Sequence, residues 1–270
     1  MKVNSAQNSG ALKRSVRKIR LYLALPLLSA LLCDFALAEE GQWKFSTGVD
    51  YSSGDYTDAS DTTMLYVPFS ASYKRGNWSG KISTGWLSID GPGNVIDGGV
   101  VLPGGGTDRS ESGIADTWLA LTYSLEALPS ELGYLDLTGK VKIPTADEDK
   151  GLGTGEVDYA LQADYFYVMG KLTPMFTVGY KFKGDPADMN LNDVLYLSAG
   201  ADWRCSDNTH IGASLDFQQA SVSGVDDPLE VFTYLNHKIS EAWSLSPYFY
   251  YGLSDSSPDM GGGLQLIFKP

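Results

Sequence analysis

Strict alternation of apolar and polar side chains runs through most of this chain. The stretch 134–143 reads YLDLTGKVKI, with leucine, glycine, valine and isoleucine on one face and aspartate, threonine and lysine on the other. Because successive side chains of a strand point to opposite faces, a period of two predicts a β-strand. The pattern recurs between Trp43 and Phe268 about twelve times. The sequence therefore predicts an all-β protein of about twelve antiparallel strands.

The connections between these segments alternate in length and composition. One set is mostly short, and the other is mostly longer and rich in Gly and Asp. An even number of strands with this alternation places both chain ends on the short-turn side. The short connections lie near Asn77, Pro129, Gly170, Asp207 and Glu241, and the longer ones near Ala59, Gly104, Asp149, Pro186, Val225 and Ser257.

Alternation alone leaves two folds open, because a soluble barrel or sandwich buries its apolar face, whereas a membrane barrel turns that face to lipid. Side chains fill a closed barrel of roughly eight strands, so about twelve strands leave room for water, a plug or a solute. Aromatic residues on the apolar face also cluster at two heights, as they do at the two interfaces of a bilayer. We therefore predict a transmembrane antiparallel β-barrel of about 12 strands. The short-turn girdle comprises Trp43, Tyr73, Trp78, Tyr123, Tyr167, Trp203, Trp243 and Phe268, and the long-loop girdle Tyr51, Trp86, Tyr159, Tyr180, Phe217 and Tyr251.

The N-terminus has the layout of a secretory signal peptide. A basic stretch precedes an apolar run from Leu21 to Leu32, and Ala36-Leu37-Ala38 offers a small-residue cleavage site. The alternative is a membrane-anchoring helix, but the run is shorter than the roughly 20 apolar residues that span a bilayer. We predict a signal peptide at residues 1–38 and a barrel at residues 39–270, located in the outer membrane of a Gram-negative cell.

Charge and cysteine content exclude several classes of function. Removing six Lys/Arg and one Asp with the signal peptide changes the net charge from −13 to −18, so nucleic acid is a poor partner. Cys205 is the one cysteine left, which rules out an internal disulfide and a thiolate metal cluster. The acidic run Asp147-Glu148-Asp149 lacks the spaced ligands of a calcium loop, and the nearby glycines open no helix that could bind phosphate. We predict no metal, no cofactor and no catalytic residues.

The polar face supplies the candidate binding residues, which are charged side chains facing a watery lumen. They could orient polar solutes in a conducting pore, or pair with one another and close it. If the pore conducts, Lys142→Glu or Lys183→Glu should shift its ion preference. The candidates are Asp136, Lys140, Lys142, Asp158, Asp164, Lys181, Lys183, Asp202, Arg204 and Asp216.

A family resemblance rests on the stretch 142–159. Lys142-Ile143-Pro144-Thr145, an acidic insert, Gly151-Leu152-Gly153-Thr154-Gly155 and Asp158-Tyr159 together resemble the outer-membrane transporters of the meta pathway of phenol degradation. The resemblance implies a barrel that takes up aromatic compounds. Near-terminal Phe268 also resembles the C-terminal signature by which outer-membrane barrels are assembled, although Lys269 and Pro270 follow it.

These observations predict a porin-like channel or transporter for passive passage of small solutes, aromatic or otherwise hydrophobic. Its partners are outer-membrane lipid, lipopolysaccharide and the solute. One alternative is a structural or adhesive barrel whose acidic loops contact a partner. The other is a lipid-active enzyme, for which His210 and His237 are the imidazoles of the chain, and His237 has no convincing partner.

Overall fold

The computed structural model describes residues 41–270, except 57, 59, 98–99, 103–107, 126–131 and 188. The predicted signal peptide at residues 1–38 lies outside the described residues. No helix in the described part of the chain is long and apolar enough to cross a membrane. The regular elements are the strands β1 Gln42–Gly54, β2 Thr62–Arg75, β3 Trp78–Gly91, β4 Asn94–Asp97, β5 Val100–Leu102, β6 Arg109–Ile114, β7 Thr117–Leu125, β8 Tyr134–Ile143, β9 Asp158–Phe166, β10 Leu172–Phe182, β11 Val194–Arg204, β12 Thr209–Gln218, β13 Leu229–Lys238, β14 Trp243–Gly252 and β15 Met260–Phe268.

The main sheet closes on itself. Strands β7 to β15 pair antiparallel in chain order, as do β1 to β3, and the pairs β3–β7 and β1–β15 close the ring. Strands β6 and β7 both pair with β3 and together count as one barrel strand. The result is a closed antiparallel barrel of twelve strands, which confirms the predicted fold class.

A one-residue bulge separates β6 from β7. Ser83 of β3 pairs with Trp118, whereas Trp86 pairs with Ile114, so two residues of β3 face three residues of the partner. A bulge shifts which side chains point inward. Here it lets Ile114 point outward with Trp86 while Asp116 points into the lumen.

The Gly-rich segment predicted as one long loop from Asp90 to about Ser112 contains more structure than the sequence pattern indicated. Strand β3 continues to Gly91, β6 begins at Arg109, and β4 and β5 form a separate hairpin between them. Val95 and Val101 of this hairpin are buried. Their burial explains why so short a hairpin forms, since two strands alone are marginally stable in water.

The apolar face points outward. Leu161 is 62% exposed, Trp86 49% and Phe176 46%, values that no water-soluble core would tolerate. At the short-turn end the girdle is continuous across the seam where the barrel closes. The ring centroids of Trp243 and Phe268 lie 4.6 Å apart, and those of Phe268 and Phe45 lie 6.5 Å apart. Such a band suits the hydrocarbon and interfacial zones of a bilayer.

Candidate functional site

The charged side chains predicted for the lumen lie on the β8–β12 side of the barrel. They separate into a buried group near the long loops, a hydrogen-bonded group at mid-height and several residues nearer the ends of their strands. Strand β8 carries Asp136, Lys140 and Lys142; β9 carries Asp158 and Asp164; β10 carries Lys181, with Lys183 just beyond its end; β11 carries Asp202 and Arg204; and β12 carries Asp216.

Lys142 is the centre of the buried group. Its side chain is 0% exposed, and its Nζ lies 2.6 Å from Asp158 Oδ2, 3.5 Å from Asp116 Oδ2 and 3.0 Å from Thr154 Oγ1. Asp116 was absent from the predicted set. A buried ammonium is stable only when carboxylates and hydrogen bonds surround it, and two carboxylates and a hydroxyl do so here. We call Lys142, Asp116 and Asp158 the lysine clamp.

The lysine clamp holds loops inside the barrel mouth. The Ala146 amide donates to Asp116 Oδ1 at 3.1 Å, and the Gly184 amide donates to Asp158 Oδ1 at 2.9 Å. A Cβ on Gly153 would approach the Asp116 carboxylate oxygens to 3.0 and 3.2 Å, so glycine lets the loop lie against the clamp. The 144–157 loop is therefore fastened to the inner wall, while its tip at residues 147–150 is exposed.

An apolar cluster fills the space beside the clamp. It joins the inner wall of β2 and β3 to the β4–β5 hairpin, the β1–β2 loop and the 144–157 loop. The Gly151 carbonyl also accepts a hydrogen bond of 2.9 Å from the Val95 amide, which ties the hairpin to that loop. The cluster narrows the lumen on this side of the long-loop end. Its members are Tyr56, Met64, Leu87, Ile89, Val95, Val101, Ala115, Ala146 and Leu152.

We call this apolar cluster the plug, and the sequence contains a signal for it. Met64, Leu87 and Ile89 stand on the small and charged face of their strands, where a water-filled lumen needs no large apolar side chain. Their buried state shows that they contact other protein groups. A large apolar residue on the lumen face of a strand, close to a long loop, thus indicates that the loop folds into the barrel.

A second group of predicted residues meets around Gln162 at mid-height. Lys140 Nζ and Tyr196 Oη both donate to Gln162 Oε1, at 2.6 and 2.8 Å. Gln162 Nε2 donates to both Asp164 carboxylate oxygens, at 2.8 and 2.7 Å, and Thr177 Oγ1 donates to Asp164 Oδ1 at 2.7 Å. The network holds these polar groups against the wall.

Two ammonium groups lie over one tyrosine ring in the same region. Lys181 Nζ is 5.4 Å from the Tyr196 ring centroid and Lys140 Nζ is 5.8 Å from it. Lys181 Nζ also donates to Gln218 Oε1 at 3.0 Å. The ring quadrupole attracts both cations and holds two ammonium groups against this wall of the lumen.

The other predicted residues are more dispersed. Asp202 accepts hydrogen bonds from Tyr234 Oη and His210 Nδ1, both at 2.8 Å, and Asp216 accepts one from Ser214 at 3.0 Å. Asp136 is the register partner of Asp164. Arg204 is exposed at the end of β11, and Lys183 is mostly buried.

Five inward tyrosines lie flat on the wall because each covers a glycine of the next strand. A Cβ on any of these glycines would come within 2.1–2.6 Å of the ring that covers it. Covering a bare glycine with an aromatic ring is a known way to stabilise a sheet. It also keeps the rings from projecting across the lumen. The pairs are Tyr66 with Gly85, Tyr196 with Gly179, Tyr234 with Gly212, Tyr248 with Gly263 and Tyr250 with Gly261.

Gly179→Ala is expected to destabilise the barrel by about 1–3 kcal/mol, the range for overpacking a filled site. The new methyl group would displace the Tyr196 ring, and with it the hydroxyl bonded to Gln162. Gly139→Ala is the matched control, because no atom lies within 4 Å of its Cβ position. Its effect should stay within about 0.5 kcal/mol. Urea unfolding of both variants in lipid vesicles measures the difference, and equal midpoints would contradict the flat-ring packing.

A cavity of about 710 Å³ occupies the lumen beside the plug. Residues of β1, β2, β13 and β14 form one side, and Lys181 of β10 contributes to the lining. Asp50 and Glu230 supply carboxylates, while Phe232, Tyr248 and other rings supply aromatic surface. The predicted set lacks these residues because its charges all lie on β8–β12, and alternation alone does not distinguish a tyrosine that lines a cavity from any other inward residue.

Neither histidine forms a hydrogen bond to a serine in the described part of the chain. His210 bonds Asp202 in the lumen, and His237 Nδ1 lies 2.9 Å from Thr209 Oγ1 on the exposed surface. A serine hydrolase needs its base within hydrogen-bond reach of the nucleophile. The geometry therefore offers no serine–histidine pair among these residues.

Acidic groups surround the outer mouth. Partial burial raises the pKa of the Asp259 carboxyl, and repulsion from Asp55, Asp61 and Asp255 raises it further. Burial likewise raises the pKa of the Tyr56 phenol, so Tyr56 stays neutral in the plug. The long-loop end thus presents a negative potential to arriving solutes.

The comparisons with known proteins agree with this architecture. Residues 76–269 match the family described as "Putative MetA-pathway of phenol degradation". That range is well over half of the chain. The chain belongs to this family. Membership confirms the resemblance seen in the stretch 142–159, of which Lys142 and Asp158 are clamp residues. No curated protein sequence gives a significant match.

Several solved barrels share the fold of this member of the phenol-degradation family. An outer-membrane channel from Pseudomonas putida F1 matches with a TM-score of 0.67 at 12% identity, over 87% of this chain and 97% of that one. The NanC porin matches at 0.57 and 9% identity, over 84% and 99%. The β domain of the Bordetella autotransporter BrkA matches at 0.53 and 11% identity, over 85% and 99%. Identities this low establish the shared barrel fold alone.

Proposed function

We propose that the protein is a passive channel of the outer membrane through which small solutes cross by way of the lumen. The observation that carries the proposal is the polar, tyrosine-lined cavity of about 710 Å³ inside a closed barrel with an apolar exterior. A lumen lined by ionisable and hydroxyl groups holds water and orients polar solutes. The lysine clamp and the plug narrow this passage and set its size limit.

Aromatic compounds are the proposed solutes. The cavity presents Phe232 and several tyrosine rings, and Phe232 lies 5.5 Å from Tyr248 and 6.5 Å from Tyr250 between ring centroids. Ring surfaces at this spacing can contact a further aromatic ring face or edge. The description of the family supports the same class of solute.

The surroundings of the barrel follow from its outer surface. The exposed apolar band contacts outer-membrane lipid, and the acidic loops contact lipopolysaccharide through divalent cations. We propose no enzymatic role, since the described histidines bond an aspartate and a threonine.

Purified, refolded protein is expected to give discrete conductance steps in planar bilayers. Vesicles that contain it should admit small aromatic ions, which cross lipid slowly, faster than empty vesicles do, and should exclude disaccharides, because the plug limits the width of the passage. Heat-modifiable migration on a gel establishes folding before the measurement. A folded barrel that gives neither steps nor solute entry would contradict the channel.

A further inference from the structure

The cavity has an acidic and aromatic wall that the proposed function does not yet explain. Asp50 on β1 and Glu230 on β13 both line it. The rings of Phe232, Tyr248 and Tyr250 line it too. This wall lies on the opposite part of the sheet order from the pair of ammonium groups over Tyr196, those of Lys140 and Lys181. We call these five residues the acidic wall.

The rings of the acidic wall are fixed in place. Tyr250 Oη donates a 2.9 Å hydrogen bond to Asp50 Oδ1. Tyr248 and Tyr250 cover the glycines of β15, and Phe232 stacks beside both of them. A ring that lies flat against the backbone has one face on the wall and leaves the other face toward the cavity. The wall therefore presents preorganised ring faces next to carboxylates.

The two carboxylates lack a cation among the described residues. The described lumen ion pairs involve Lys142 with its two aspartates and His210 with Asp202, and neither Asp50 nor Glu230 takes part. Asp50 is bonded by phenol hydroxyls instead. Carboxylates in a confined lumen attract cationic solutes.

One hydroxyl that lines the same cavity is also unsatisfied. Ser256 Oγ has no hydrogen-bond partner among the described groups. Buried polar atoms are normally paired, so an orphan beside a cavity indicates a ligand or water that pairs with it.

We propose that the acidic wall binds small primary ammonium ions that carry an aromatic or apolar group. Such a ligand has N–H donors for Asp50 and Glu230, a positive charge for the ring faces, and an apolar body for Phe232. The cavity of about 710 Å³ accommodates a single-ring amine with water to spare. The proposal rests on the channel function, because it names the class of solute that the lumen favours. Aromatic carboxylates are repelled by these two groups, and the ammonium that lines the cavity, that of Lys181, lies on β10, three strands from Glu230 in the sheet.

Isosteric probes test this proposal. The mature barrel, refolded in detergent micelles, is titrated calorimetrically with benzylammonium, benzyl alcohol and benzoate, which share a ring and differ in charge. Benzylammonium is expected to bind about tenfold more tightly than the other two, a factor that corresponds to ~1.4 kcal/mol. Glu230→Gln and Asp50→Asn should each remove most of that preference. Asp207→Asn, in the exposed turn between β11 and β12, makes the same charge change away from the cavity and should leave it intact.

The outcomes separate this proposal from the channel itself. Equal affinities for benzylammonium and benzoate would overturn the ammonium site, as would a preference that survives both carboxylate variants. A barrel that conducts but shows either result remains a channel without this site. A barrel that binds benzylammonium in a carboxylate-dependent way yet gives no conductance steps keeps the site and loses the channel. If Asp50→Asn fails to fold, Glu230→Gln alone decides.

Discussion

Lys142→Ala is expected to release the 144–157 loop and raise the single-channel conductance severalfold. The substitution leaves Asp116 and Asp158 buried without their ammonium partner and Thr154 without its donor. Removing one member of a buried ion pair costs about 3–5 kcal/mol. The loop can avoid that cost by leaving the mouth and letting water reach the carboxylates. Planar-bilayer recordings measure the conductance, and limited proteolysis at the loop measures its release.

Two variants control this experiment. Asp149→Ala removes an exposed charged side chain from the same loop and should change neither conductance nor proteolysis. The triple change Lys142→Met, Asp116→Asn and Asp158→Asn removes every charge of the clamp, and its stability should recover toward that of the native protein. Unaltered conductance and proteolysis in Lys142→Ala would show that the clamp does not hold the loop.

The structure changes how a charge reversal at Lys142 should be interpreted. A shift in ion preference follows from a lysine that faces the water of the pore, but this ammonium lies inside the clamp. We therefore expect the main effect of Lys142→Glu to be release of the 144–157 loop, which widens the mouth of the barrel, and not a change in ion preference. Lys181, which lines the cavity, is the better position for testing ion selectivity.

Ala199→Arg is expected to weaken folding into a bilayer by about 2–4 kcal/mol, the cost of a cation at the lipid midplane of a barrel. Ala199 lies near the middle of β11 between Phe176 and Leu215 on the apolar outer face. Its neighbour Ser198 faces the lumen between Thr177 and Asp216. Ser198→Arg should change the free energy of folding little, because its guanidinium contacts water and the Asp216 carboxylate.

Unfolding of both variants in vesicles, as a function of denaturant, gives the comparison. Adjacent positions of one strand share local geometry. A difference in the free energy of unfolding between the two variants therefore shows which side chain faces lipid and which faces the lumen. The reverse order, with Ser198→Arg the more damaging variant, would mean that the outer face of the barrel is not in contact with lipid.

Much of the fold could be predicted because strand pattern is a local property. Alternation from Leu135 to Ile143 identifies β8 and its two faces without knowledge of any partner strand. The short pair Gly76-Asn77 likewise identifies the hairpin between β2 and β3, and Gly76 indeed has the positive φ of such a turn. The wet interior followed from strand number, since twelve strands enclose more space than their side chains fill.

The candidate site was harder to predict because it depends on contacts between distant segments. Alternation places Asp116 on the inner face with Trp118, but its contact with Lys142 depends on how β7 and β8 pair, which no pattern within one strand shows. Asp50 and Tyr250 are 200 residues apart, yet they form one hydrogen bond across the seam of the barrel. Leu87 and Ile89 were visible as apolar residues on the polar face, but their partner Leu152 was not.

The amino-acid sequence by itself determined a twelve-stranded barrel with lipid outside and ionisable groups inside, because backbone geometry ties side-chain direction to a period of two. Only the tertiary structure decided which of those groups still face the lumen. Closing the sheet brought Lys142 between two carboxylates and folded a loop over it, while it left Asp50 and Glu230 beside open space. Burial and pairing are set by distances between strands, and the alternation within one strand does not contain those distances.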